Sequence, residues 1–132
     1  MCNFFHVNKT FLVLLMIVTT VFVIGQNGKA LAKDCYAGTY ASGLHAYVMT
    51  ETVVMGSPGF RRFDVTVKAV SDNGELVSYL NYHFWNDVGE PIMFSNSEGY
   101  RGRVDSSTPV EQNIWNIAQP ISAEMWNRQI SR

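Results

Sequence analysis

The hydrophobic period of this chain changes once, near Val104, and that change restricts it to a sheet followed by helix. Upstream, "HAYVMTETVVM", "FRRFDVTVKAV" and "ELVSYLNYHFW" are rich in β-branched and aromatic residues, which suit a pleated, half-buried surface. The middle run alternates most cleanly. Phe63, Val65, Val67 and Ala69 take one side and Arg62, Asp64, Thr66 and Lys68 the other, the period of a strand with one wet face. "GSPG" (56–59) and "DNG" (72–74) supply tight turns, and Asn-Gly accepts the positive φ angles of a hairpin. "NDVGEP" and "NSEG" bracket a short strand at "IMF", and a last one runs through "YRGRV". The expected topology is an antiparallel β-meander of four to five strands.

Downstream, Thr108-Pro109-Val110-Glu111 has the arrangement of a capping box with proline at the first helical position. Val110, Ile114, Ile117 and Ala118 then recur on one stripe, which predicts a helix with an apolar face. Pro120 interrupts it, so a second short helix over "ISAEMWNRQI" is expected, packing through Ile121, Met125 and Trp126. One or two C-terminal helices on a meander make an α+β, two-layer domain.

The first 32 residues read as a cleavable signal peptide. Residues 1–10 carry one lysine and no acid, Phe11 to Gly25 is uncharged and largely apolar, and Ala30-Leu31-Ala32 supplies the small-x-small site for cleavage after Ala32. An uncleaved anchor is the alternative, although the run is shorter than the roughly 20 residues that span a bilayer. Residues 33–132 then form a single domain, exported to the periplasm, cell surface or medium, with membrane contact only through the leader. Lys9 and Lys29 would leave with that leader, so eight basic residues face eleven acids and the net charge is near −3. That balance argues against nucleic acid, whose phosphates demand a positive surplus.

Lys33 and Asp34 separate Cys35 from the cleavage site, whereas a lipid-anchored chain places its cysteine immediately after cleavage. Lipidation is therefore not expected. With Cys2 removed, Cys35 is left either inert or in an intermolecular disulfide, which would give a homodimer. His45, His83 and Cys35 lack the spacing of a zinc motif, and no phosphate loop or serine elbow occurs, so neither metal, cofactor nor catalytic residue is assigned.

The least ordinary stretch is "YLNYHFW" (79–85). Leu80, Tyr82 and Phe84, extended by Leu76, form the core row, which leaves Tyr79, Asn81, His83 and Trp85 on the other side. Amphipathic aromatics on a wet face are what recognition surfaces use, unless the helices or residues 35–44 cover them. The expectation is an exported, non-enzymatic binding or interaction module of the bacterial envelope or surface, its partner an unknown protein or small molecule. A small exported hydrolase pairing a turn carboxylate with His83 is the alternative, and an envelope component that self-associates through sheet edges is a third.

From Tyr36 to Val53, "YAGTYASGLHAYVMTETV" places an aromatic, a Gly-Thr turn, Ala-Tyr-Val and a threonine-rich strand in order. The stretch resembles small bacterial exported domains of the surface-adhesin-E-like kind. The resemblance implies a signal peptide, an antiparallel sheet and helical packing. Tyr47-Val48-Met49 stands where that group has Tyr-Val-Asp, so no host-ligand contact is carried onto a particular residue.

Overall fold

The computed structural model describes residues 34–132, and the expected leader with its cleavage after Ala32 lies outside the described residues. Six strands follow one another: β1 (Asp34–Thr39), β2 (His45–Met55), β3 (Arg62–Val70), β4 (Leu76–Trp85), β5 (Met93–Asn96) and β6 (Arg101–Arg103). They pair antiparallel in chain order, a pure meander. One helix, α1 (Pro109–Ile130), completes the α+β domain. Among the described residues no helix is long and apolar enough to cross a membrane.

The strand count exceeds expectation because of β1. "DCYAGT" is short and half small residues, so it carries little strand signal, yet Cys35 pairs with Val48 and Tyr36 with Tyr47. The tertiary ladder decides this segment where local propensity does not. It extends the sheet instead of covering it.

Period-2 alternation places Val48, Phe63, Val65, Val67, Leu80, Tyr82, Phe84 and Phe94 in the core. Two irregularities alter the pattern. In β2 the register with β3 shifts between Met49 and Val54, so the inward set passes from Ala46 and Val48 to Val53. The hydroxyl of Thr52 occupies that bulge, accepting from the Thr66 amide at 2.8 Å and donating to the Met49 carbonyl at 2.6 Å. A side chain thus satisfies backbone groups that the ladder leaves open. In β4 a second shift, opposite Ala69 and Val70, inserts Val77. Leu76 therefore does not extend the core row: it is paired with Val70 and stands 48 % exposed.

The helix starts where the sequence places it, but not through a capping box. Thr108 makes no side-chain bond to the first turn; its hydroxyl donates to the Arg103 carbonyl at 2.8 Å and accepts from the Asp105 amide at 2.9 Å, tying off the β6–α1 connection. Proline at the first position, with no N–H to satisfy, does the rest. Nor does Pro120 divide the helix. Pro120 and Asn116 are both exposed, so the carbonyl that loses its bond is open to water. One helix of 22 residues results in place of two.

Val110, Ile114, Ala118 and Ser122 form its buried stripe, set against β2 and β1 and reaching β3. Specific bonds fix the seat. Asn113 donates to the Ala37 carbonyl at 2.9 Å, and Gln119 to that of Phe60 at 3.3 Å. Ser122, fully buried, donates to the Gly59 carbonyl. A side chain at Gly59 would stand 2.9 Å from Trp126 Cβ and 3.1 Å from the Ser122 carbonyl, so only glycine permits this approach.

Candidate functional site

The helix occupies one face of the sheet, and among the described residues no second layer covers the other. On that outer face Tyr79, Asn81 and His83 are exposed and Trp85 half-buried, in the order the alternation predicts. The structure joins them to neighbours that the linear sequence does not group. Tyr36, Tyr47, Lys68 and Tyr79 are successive cross-strand partners, with the rings of Tyr36 and Tyr47 5.5 Å apart. Lys68 reaches Asp34 at 2.5 Å, and that bond raises its already high pKa. One row along, Asn81 accepts from the Thr66 hydroxyl at 2.9 Å while its amide donates to Ser97, so this residue also serves the sheet.

At the far end, His83 stacks on Trp85 with centroids 5.3 Å apart, and the Arg101 guanidinium lies over the same indole at 5.3 Å. Asp64, the cross-strand partner of His83, holds its Nδ1 at 2.6 Å. The carboxylate beside His83 thus belongs to a strand; the turn residue Asp87 pairs with Arg62 at 2.5 Å instead. Asp64 and His83 line an open depression of about 330 Å³ that also includes Ser95, the partner of His83 on β5. Both members of the pair are substantially exposed, and such pairs contribute at most about 1 kcal/mol. Cys35 faces the core at 1 % exposure and is not a free thiol. Among the described residues no group of three His, Cys, Asp or Glu is placed to hold a metal.

No family model, curated protein or solved structure matches the chain.

A second feature lies on the inner face, where α1 packs chiefly on β1 and β2, touches β3 and meets β4 through Trp115 against Phe84. A cavity of about 600 Å³ opens there, floored by Leu80, Tyr82 and Phe94 and walled by Tyr40, Val110 and Glu111. The hydroxyls of Tyr40 and Tyr82 are 2.9 Å apart, and Tyr82 donates to Glu111 at 3.3 Å. Sequence reading places Tyr82 in the core and Glu111 in a cap; the signal it passes over is that a core tyrosine needs a partner for its hydroxyl. Burial first, then the charge of Tyr82, Glu111 and Glu98, drives the Tyr40 phenol well above its ordinary range. Burial likewise pushes Tyr82 up to about 12, against hydrogen bonds from Tyr40 and Asn96 that lower it.

Tyr82 therefore keeps its proton more tightly folded than unfolded. Its stabilising contribution is complete below the ordinary value of 10.0 and is lost as pH rises through about 12. Thermal melts across that window should show Tm declining from about pH 10, and declining less steeply in Tyr82→Phe. Identical profiles for parent and variant would remove this tyrosine as the cause.

Proposed function

We propose that the chain is an exported, non-enzymatic binding module of the bacterial envelope or cell surface, and that the outer face of its sheet is the recognition surface. The observation that carries this reading is the row of Tyr79, His83 and Trp85, which no layer of the described residues covers, with Arg101 against the Trp85 indole and the Tyr36–Tyr47 pair on the same face. Rings held by stacking and by a guanidinium have little side-chain entropy left to lose on binding, and aromatic and arginine anchors dominate interface energetics. The antiparallel sheet with a helix against it is also the architecture that the surface-adhesin-E-like resemblance implies.

Photocrosslinking in the native cell tests it. A photoreactive phenylalanine at position 79 should form adducts that excess untagged protein suppresses and excess Trp85→Ala protein does not. The same probe at position 116, on the exposed side of α1, should form few. Equal labelling at both positions would remove the outer face as the recognition surface.

The second reading is a small exported hydrolase, favoured by the Asp64–His83 pair with Ser95 on the adjacent strand. The depression is open, so water would compete for every polar contact and little binding strength is available for catalysis. Ester turnover by the parent that disappears in Asp64→Asn would favour this reading over the first.

A further inference from the structure

We propose that the inner cavity binds an organic cation carrying an apolar body, its ammonium group held by Glu111 and Glu98 beside Tyr40. This site lies on the opposite face from the recognition surface and does not depend on it.

The cavity volume of about 600 Å³ is that of a small-molecule site, and Leu80, Phe94, Val110 and the tyrosine rings give it an apolar interior. Its charged side chains are two acids and one base. Glu111 and Glu98 both line it, and both act on the Tyr40 phenol as negative charges. Neither is ion-paired: the salt bridges among the described residues use Asp34, Asp64, Asp72, Asp87 and Glu124. Arg101 is the one basic residue along the lining, and its guanidinium is engaged with Trp85.

The first turn of α1 also borders the cavity, and a helix N-terminus would favour an anion with about half an elementary charge. Two carboxylates against one guanidinium and that half-charge still leave the lining net negative, by about half an elementary charge. Tyr40 and Tyr82 stay neutral throughout the physiological range and so add no charge, and the half-buried Tyr40 can present its ring to a cation. Neutral ligands of the same shape would leave both carboxylates without a counter-charge.

The probes are octyltrimethylammonium, octanoate and octyl glucoside, each titrated calorimetrically into the protein below its micelle-forming concentration. Saturable one-to-one binding is expected for the cation, with little or none for the anion and the neutral glucoside. Glu111→Gln keeps an oxygen to accept from Tyr82, so the fold should survive while cation affinity falls about tenfold, through loss of one ion–ion attraction at a partly buried site. Glu98→Gln, at an exposed turn, should weaken binding about two- to fivefold and cannot damage the core. Octanoate binding as tightly as the cation, equal binding of all three probes, or an unchanged affinity in both glutamine variants would overturn the proposal. So would no saturable cation binding, or binding lost in Trp85→Ala and kept in Glu111→Gln, which would move the cation to the outer indole.

Discussion

A chain ending at Ser107 should lose its cooperative thermal transition, whereas Tyr79→Ala, His83→Ala and Trp85→Ala should each melt close to the parent. The truncation removes Val110 and Ile114, which are 6 % and 0 % exposed, with Ala118, Ser122 and the half-buried Trp115. Burying one large aliphatic side chain is worth roughly 1.5–3 kcal/mol. Losing several, and exposing the sheet face beneath them, would exhaust most of the roughly 5–15 kcal/mol that holds a small domain together. None of these three outer-face side chains has comparable weight, because Tyr79 and His83 already stand in water and Trp85 is only half-buried. Circular dichroism melts of the four chains decide the matter. A truncated chain that melts like the parent would mean the sheet is stable without its second layer, contrary to the packing described.

Two consecutive residues give the second large effect. Phe84→Ala should destabilise by about 3–5 kcal/mol, the usual cost of removing a core aromatic, and Trp85→Ala by about 1 kcal/mol or less. Phe84 is fully buried, and its ring lies 5.2 Å from Phe63, 5.6 Å from Tyr82, 5.9 Å from Trp115 and 6.3 Å from Phe94. It is the hub through which strands β3, β4 and β5 meet the helix. Trp85, one residue on, faces the other way, and its neighbours are His83 and Arg101. Urea unfolding of both variants would measure the difference; a larger loss in Trp85→Ala would mean that the sheet's two faces are exchanged.

Most of the architecture is legible because each residue row answers to a single period. The alternation of β3 and of Leu80, Tyr82 and Phe84 survives folding unchanged, and so do Val110, Ile114 and Ala118 of the helix stripe, whereas Ile117 is only half-buried and Ser122 takes the next buried place. What resists reading is where the ladder departs from its period. Val77 is an extra residue that moves Leu76 to the wet side, and Thr52 repairs a bulge whose existence no local pattern announces. Pro120 misleads for a related reason: its cost depends on whether the carbonyl one turn back can reach water, a property of position on the helix and not of sequence. The site divides in the same way. Tyr79, Asn81, His83 and Trp85 share a strand and can be found by counting, whereas the tyrosine row and the cavity are assembled from residues on different elements. Glu111 and Tyr82 meet across 29 positions, which no window of local pattern spans.

The contact between Gly59 and Ser122 also bears on how relatives of this chain could be recognised. Sixty-three positions separate the two residues, yet each constrains the other: the loop must offer a bare Cα, and the helix a small hydroxyl-bearing residue to meet its carbonyl. Enlarging either one alone would lift the helix, and with it the wall of the inner cavity. Descendants of a common ancestor should thus keep glycine and a small side chain at this spacing, or replace both together, even after the strands have diverged past alignment. That paired pattern, sought with a preceding six-strand meander, would serve as a signature where overall similarity has faded.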